Sequence, residues 1–312
     1  MTPGWPTVSY DRWGPTCDTL HAHTQLLGKL AVELAPPEAE LQHAALRLTA
    51  RGWETAPLPA PDGSGSLVVA LDLRSHAAVV THSGGRDGGR GGGQGVPLAP
   101  DRPVADVTRE VLAAVARVAG GVQINPSPQE VPWHVPLDQD HEHTRYDPVQ
   151  VGDYFAAATQ AALALSAFRA PYRGRSTPVN AWWGSFDLAV TMFSGRPADP
   201  PADGFITRNA ADAEQVTIGW WPGDARHPGA AFFATAYPAP PGFARAALAP
   251  AAASWDPALG EYILDWEDVG AASDPHGAAL DFAHSAFRHA CVVGGWDPAL
   301  PASADGSPPP IR

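Results

Sequence analysis

The amino-acid sequence predicts an α+β fold of two similar halves, each an antiparallel sheet with packed helices, around a central cleft. Helical and strand-like segments come in blocks and not in strict alternation, which favours antiparallel over parallel sheets. The segment "SHAAVVTHSGGR" (75–86) also resembles "SFDLAVTMFSGR" (185–196), as expected if the two halves are related. Because such matches arise easily in a chain rich in Ala, Gly and Pro, a pair of unrelated halves stays open as the alternative.

The chain is long enough to form two domains. Its 312 residues are 45% hydrophobic, which is typical of a globular protein with a sizeable core. We expect an N-terminal half over 1–145, a C-terminal half with Trp-rich strands over 146–299, and a disordered tail over 300–312. The glycine-rich segment 83–95 is predicted to form a flexible loop, because runs of glycine hold no fixed conformation.

The composition argues against several classes of partner and chemistry. Lys and Arg number 20 against 33 Asp and Glu, and a net charge of −13 repels phosphate backbones, so we expect no nucleic-acid partner. Cys17 and Cys291 are far apart and in no paired motif, which disfavours a disulfide framework or a zinc site. Lys29 is the only lysine, so any mechanism that needs a lysine amine must use it.

No segment has the features of a signal peptide or a membrane span. The N-terminus lacks a basic stretch followed by an apolar run. No stretch approaches the roughly 18 uninterrupted apolar residues that a transmembrane helix needs. The sequence therefore predicts a cytoplasmic protein that makes no membrane contact.

Four segments have helical patterns, namely 18–34, 104–119, 148–169 and 275–293. The last two follow Asp147 and Asp274, each of which is followed by proline. Asp caps the helix there, and proline fits the first turn because its missing N–H has no partner in that turn. The first helix carries a polar stripe of His21, Gln25 and Lys29 opposite its apolar face. Solvent exposure is the default interpretation of this stripe, and the lining of a cleft is the alternative.

Seven short runs are predicted to be strands, because they are rich in β-branched or aromatic residues and are bounded by Gly or Pro. They span 44–50, 67–73, 77–82, 179–193, 215–221, 231–237 and 260–266.

The strand 179–193 carries a carboxylate in its middle. Period-2 alternation places Phe186 on a core face and places Trp183 and Asp187 on the opposite face. Asp187 needs a partner or water, because an unpaired buried carboxylate is costly, and Arg196 from the same hairpin is the candidate partner. The face is interpreted as solvated or, alternatively, as the wall of a cleft that contacts a polar ligand.

These segments resemble a bacterial family of unknown function, DUF5996, which is typical of cytosolic proteins. The resemblance rests on "WPTVSYDRWGPTCDTLHAHTQLLGKL", "WWGSFDLAVTMFSGR", "IGWWPGD", "TAYPAPPGF" and "GEYILDWEDV". It covers nearly the whole chain, from about residue 5 to 298. The family name implies no activity, substrate or catalytic residue, so the resemblance places the protein in a class and leaves its function open.

The segment "DQDHEHTRYDP" (138–148) has the pattern of a metal-binding cluster. His141 and His143 are two residues apart, so on an extended segment both imidazoles point the same way, and Asp140 is a third donor nearby. No second cluster supplies a further ligand. A polar linker that caps the following helix is therefore the favoured interpretation, and a metal-dependent hydrolase is a weak alternative.

The leading functional hypothesis is a small-molecule-binding protein, or an enzyme of unknown reaction, with an aromatic, carboxylate- and Arg-lined cleft. Tryptophans beside carboxylates suit stacking on a sugar or planar group, and an arginine suits a polar or anionic group. The candidate ligand-binding residues are Trp183, Asp187, Arg196, Trp221, Glu261, His43 and Gln25. The rival hypothesis is a non-catalytic scaffold or homo-oligomer with these aromatics in an interface. The phosphate-loop, dinucleotide-binding and zinc-protease motifs are missing from the sequence, so the identity of any cofactor stays unknown.

Overall fold

The structure, a computed structural model, describes residues 5–85, 94–201 and 204–304. The predicted α+β class is confirmed, because the described residues form two antiparallel sheets of six strands each, together with helices. Contacts divide the chain into two compact units. The N-terminal unit comprises Trp13–Phe155 and Ala181–Phe186, and the C-terminal unit comprises Met1–Arg12, Ala156–Asn180 and Asp187–Arg312. Residues 86–93 of the predicted glycine-rich loop lie outside the described residues.

The N-terminal unit contains most of a long helix, a sheet and a second helix. In chain order the elements are α1 (Tyr10–Leu34), β1 (Arg47–Leu48), β2 (Gly52–Glu54), β3 (Leu58–Pro59), β4 (Ser66–Asp72), β5 (Ala77–His82), β6 (Gln94–Pro97) and α2 (Val104–Ala119). The strand order is β1-β2-β4-β5-β6, and β3 pairs with β4.

The C-terminal unit repeats the order of long helix, sheet and helix. Its elements are most of α3 (Pro148–Arg169), part of β7 (Asn180–Trp182), β8 (Asp187–Pro197), α4 (Phe205–Ala210), β9 (Ala213–Trp221), β10 (Ala231–Tyr237), β11 (Ser254–Asp256), β12 (Glu261–Asp265), α5 (Trp266–Ala271), α6 (Pro275–Val293) and α7 (Ala299–Ala304). The strand order is β11-β12-β10-β9-β8-β7. Helix α6 packs on β9 and β10 and buries Phe282 and Phe287, so this side of the sheet forms the core.

The structure confirms three of the four predicted helices, 104–119, 148–169 and 275–293. The predicted start of the remaining helix is wrong, because α1 begins at Tyr10 and not at residue 18. Pro15 lies within this helix near its N-terminus. The default interpretation of the polar stripe on α1 as solvent-exposed is also wrong, since Gln25 and Lys29 are both buried.

The predicted strand 179–193 is interrupted. Residues 183–186 form a turn between β7 and β8, and Phe186 has a left-handed φ of 60°. Such a φ is unfavourable for a bulky residue and has to be held by packing. The ring of Phe186 stacks within the N-terminal unit on Trp53 and Tyr154, at centroid distances of 5.2 Å in both cases. Trp183 therefore does not continue the strand face that carries Asp187, contrary to the alternation pattern.

The start of the predicted disordered tail is also wrong. Residues 299–304 form α7, which begins where the Ala299 N–H donates to the Asp297 carboxylate at 2.9 Å. Ser303 on this helix accepts the Arg173 N–H at 3.2 Å. A third Asp-Pro pair, Asp297-Pro298, thus starts a helix, as the two earlier pairs do. Residues 305–312 lie outside the described residues.

Replacing Asp274 by Ala should lower the free energy of unfolding by about 1 kcal/mol, because α6 then loses its N-cap. The Asp274 carboxylate accepts the Gly277 N–H at 3.0 Å, and alanine leaves this N–H without a protein partner. Urea unfolding followed by circular dichroism measures the change. Asp281→Ala, an exposed position inside the same helix, is the matched control and should change stability little. An equal loss in both variants would contradict the capping role.

Candidate functional site

One face of the C-terminal sheet carries polar side chains in neighbouring positions of four adjacent strands. Thr191 pairs with Thr217, and Thr217 pairs with Thr235, across β8, β9 and β10. The hydroxyl oxygens of Thr191 and Thr217 lie 3.1 Å apart, within hydrogen-bond distance. The register of β10 with β12 places Glu261 next in this row. We call this side of the sheet the polar face.

Two further predicted site residues lie on the polar face. Because side chains alternate along a strand, Asp187 shares this face with Thr191 on β8, and Trp221 shares it with Thr217 on β9. The structure thus brings Asp187, Trp221 and Glu261 onto one face of one sheet. Trp221 and Glu261 are half-buried, whereas Asp187 is buried.

The aromatic side chains of Phe233 and Trp221 lie on the same face of the sheet as the row of threonines. The ring of Phe233 lies over Gly219, where an added Cβ would be 2.3 Å from a ring carbon, so only glycine fits beneath it. Trp221 contacts Phe233 edge-to-face, with ring centroids 5.7 Å apart. This is the arrangement that aromatic pairs prefer. The polar face therefore combines hydroxyl groups with an aromatic surface.

The loop between β9 and β10 adds charged groups beside Trp221. His227 lies 5.5 Å from Trp221, centroid to centroid, and its Nε2 is 2.8 Å from an oxygen of Asp265. Arg226 forms an ion pair with Asp224, with Nη2 and Oδ2 2.7 Å apart. This loop was not among the predicted site residues. The "WWPGD" motif could have predicted the position of this loop, because the residues that directly follow Trp221 in the chain must lie close to its ring.

Glu261 is the least satisfied carboxyl on the polar face. Burial raises its pKa from 4.5 to about 7, although the positive charge of Arg226 favours the ionised form. Within the described part of the chain, no group hydrogen-bonds this carboxyl. A half-buried carboxyl that titrates near neutrality can donate or accept a hydrogen bond to a ligand, and such perturbed groups concentrate at functional sites.

Arg196 does not pair with Asp187, contrary to the sequence-based expectation. Its guanidinium binds Glu214, with Nη2 and Oε1 2.8 Å apart, and it donates to the carbonyls of Gly294 and Gly295 at the end of α6. The hydrogen bond to Glu214 raises the pKa of Arg196. Its donors are therefore used to hold α6 against the sheet. Among the described residues that line the surface pocket of about 380 Å³ beside it, no cation is unpaired.

The remaining predicted ligand-binding residues lie in the N-terminal unit, and two of them contact each other. The Gln25 amide donates to the Trp183 carbonyl at 3.0 Å and to the Gln129 carbonyl at 2.9 Å, and its oxygen accepts the Gln129 N–H at 3.0 Å. With its donors and acceptor used, Gln25 fastens the chain around Trp183 to α1. His43 accepts the Glu38 N–H at 3.0 Å and stabilises a short turn.

Lys29 lies on the same stripe of α1. Its Nζ is 5.3 Å from the centroid of the Trp183 ring, a cation–π distance. Burial lowers the pKa of Lys29 to about 8. In the residues that the structure describes, no carboxylate forms an ion pair with this amine.

The predicted metal donors are arranged as a hydrogen-bonded pair and not as a cluster. His143 Nδ1 lies 2.7 Å from Asp140 Oδ2, whereas His141 is exposed. No three His, Cys, Asp or Glu residues in the described ranges could hold a metal ion together. The segment caps the following helix as predicted, because the Asp147 carboxylate accepts the Val149 N–H at 2.8 Å at the start of α3. It also caps α2, where the carbonyls of Asp140 and His143 accept the Ala105 and Val104 N–H groups.

The two antiparallel sheets and the polar face define an α+β protein with a candidate binding site on one sheet. The chain belongs to the family of unknown function DUF5996, whose family model matches residues 5–302. No curated protein and no solved structure matches it. Across the residues described, the helices are all too short or too polar to span a membrane.

Proposed function

We propose that this protein binds a small polar molecule on the polar face of its C-terminal unit, in the bacterial cytosol. The observation that carries the proposal is Glu261, a half-buried carboxyl with no hydrogen-bond partner in the described residues, on the same face as Trp221. Ligand sites combine apolar and aromatic walls with a few polar groups that fix the orientation of the ligand. Trp221 and Phe233 supply the wall, and Glu261 and the threonine hydroxyls supply the polar groups.

The chemistry of these groups favours a ligand that both donates and accepts hydrogen bonds. A carboxyl with a pKa of about 7 is present in both protonation states at neutral pH, and threonine hydroxyls also act in both directions. The half-buried Trp221 ring contacts Phe233 edge-to-face on the same face of the sheet as these groups. A ring with several hydroxyl or amide groups, such as a sugar or a planar heterocycle, satisfies both requirements.

Native mass spectrometry of the purified protein, before and after incubation with a metabolite extract, tests the proposal. The wild type should carry an added small-molecule mass, and Trp221→Ala and Glu261→Gln should each lose most of it, since each removes one part of the site. Glu267→Gln, an exposed position on α5, is the matched control and should keep the ligand.

The other outcomes of this experiment decide against the proposal. A ligand that is retained by both Trp221→Ala and Glu261→Gln lies elsewhere on the protein. A stable dimer that takes up no ligand would favour the scaffold hypothesis, and a monomer that takes up no ligand would remove small-molecule binding as the function of this face.

A further inference from the structure

A second group of titratable side chains lies in the N-terminal unit, apart from the polar face. The imidazole of His143 is held by Asp140, whose carboxylate is fully buried. The other oxygen of Asp140 accepts the N–H groups of Glu142 and His143, both at 3.0 Å. Three hydrogen bonds therefore fix the carboxylate, and through it the orientation of the His143 ring.

This arrangement determines which nitrogen of His143 carries the proton. A buried carboxylate accepts hydrogen bonds, so Nδ1 carries the hydrogen and Nε2 presents a lone pair. No group in the described ranges hydrogen-bonds Nε2, and 14% of the side chain is exposed. The pair thus has the geometry in which a carboxylate orients an imidazole as a base.

A second imidazole and an indole ring lie beside this base. Trp133 contacts His143 at a centroid distance of 4.7 Å and His21 at 5.7 Å. His21 Nε2 donates to the carbonyls of Trp183 and Gly184, so its Nδ1 is the hydrogen-bond acceptor. Both histidines therefore contact the Trp133 ring, and each has one acceptor nitrogen.

Their environments assign the two imidazoles different roles. Burial alone would lower the pKa of His143, but the hydrogen bond and charge of Asp140, helped by Asp18 and Glu142, raise it. Burial lowers the pKa of His21 to about 4, and the neighbouring His23 behaves in the same way. His143 is therefore the stronger base of the two, and His21 is neutral at pH 7. Pairs of titratable groups whose pKa values are shifted in opposite directions by their surroundings are typical of acid–base sites.

We propose that Asp140, His143, His21 and Trp133 form an acid–base site in which His143 Nε2 activates water for the hydrolysis of an acyl ester. Nε2 takes a proton from water as the water oxygen bonds to the carbonyl carbon. The bond from that carbon to the alcohol oxygen then breaks, and His143 returns the proton to the leaving alcohol. The products are a carboxylic acid and an alcohol, and the step needs no metal or oxidant.

The probe is 4-nitrophenyl acetate, whose aromatic ring suits the indole of Trp133. His143→Asn keeps an N–H that can donate to Asp140 but removes the basic nitrogen, so it should lower the hydrolysis rate at least about tenfold. His141→Asn is the matched control, because His141 is exposed and lies two residues away, and it should retain the wild-type rate. Thermal melting of each variant shows that it is folded.

Three readouts distinguish general-base catalysis from a structural role of the pair. The rate should rise with pH around a midpoint above that of free imidazole, and Asp140→Asn should lower this midpoint. The rate in D2O should fall about two- to threefold, because a proton moves in the transition state. An equal loss in His141→Asn, no loss in folded His143→Asn, or a stable acetyl adduct on His143 would each overturn the proposal. None of these results depends on ligand binding at the polar face.

Discussion

Glu261→Gln should raise the free energy of unfolding by about 3 kcal/mol at pH 9 and change it little at pH 4. Burial raises the pKa of Glu261 from 4.5 to about 7, and each unit of displacement corresponds to about 1.4 kcal/mol. Glutamine keeps the shape but replaces one carboxyl oxygen with an uncharged NH2 group, so the variant never has to bury a carboxylate. Urea unfolding curves between pH 4 and pH 9 measure the difference.

The sign of this pH dependence follows from proton binding. Between pH 4.5 and 7, the folded state holds a proton on Glu261 that the unfolded state has lost. The wild type therefore loses stability as the pH rises through this window, and above it the full cost of burying the charge is present. Glu267→Gln, with an exposed side chain, should show no such difference. A Glu261 variant that is less stable than the wild type at pH 9 would show that the carboxylate has a partner.

A side chain that lowers the free energy of unfolding at its position in the fold is more typical of a binding site than of a core. Substitutions that remove such a cost commonly stabilise a protein and impair its function. Glu261→Gln is accordingly expected to gain stability and to lose the ligand of the polar face. If it gained stability and kept the ligand, Glu261 would be a buried charge without a role in binding.

Local patterns were sufficient to predict most of the elements. The Asp-Pro pairs at 147 and 274 start α3 and α6 because both residues act within the first helical turn. Alternation along β8 correctly placed Leu188 and Val190 on one face and Asp187 and Thr191 on the other. The interpretation of the second face as solvated was wrong, because Asp187 and Thr191 are buried. Such effects depend on neighbours in sequence and are therefore visible in sequence.

The features that the sequence did not predict depend on residues far apart in the chain. Phe186 resembles a strand residue, and its left-handed backbone is held by an aromatic stack with Trp53 and Tyr154. Gln25 resembles an exposed helical residue until Gln129, more than a hundred positions away, supplies its partners. The row of threonines with Glu261 also requires the strand register, which alternation alone does not determine.

Only part of the candidate site could be predicted from the sequence, because its contacts also depend on residues far apart in the chain. Trp221 and Glu261 were both identified from their chemistry, and the register of β9, β10 and β12 places them on one face. Arg196 was identified on the same chemical grounds, yet its partners are Glu214 and the end of α6. Residue type indicates what a side chain can bind, whereas the tertiary fold decides what it binds.

Lys29→Met should raise the free energy of unfolding by about 2–3 kcal/mol at pH 7, and the gain should vanish above pH 10.5. Burial lowers the pKa of Lys29 from 10.5 to about 8, so the folded state bears the cost of a buried ammonium at all pH values below 8. The contact with the Trp183 ring offsets part of this cost, by about 0.5–1 kcal/mol. Methionine fills the same space with an uncharged chain. Urea unfolding at pH 7 and at pH 10.5 measures the difference.

The direction of the pH dependence is opposite to that for Glu261. Between pH 8 and 10.5 the unfolded state keeps a proton that folded Lys29 has lost, so stability rises with pH across this window. Because Lys29 is the only lysine, ε-13C-labelled lysine gives a single side-chain NMR signal whose midpoint reports this pKa directly. A midpoint near 10.5, or a variant less stable than the wild type at pH 7, would show that the charge is well solvated. A midpoint near 8 would make the one lysine of the chain a partly neutral amine, and hence a nucleophile, close to physiological pH.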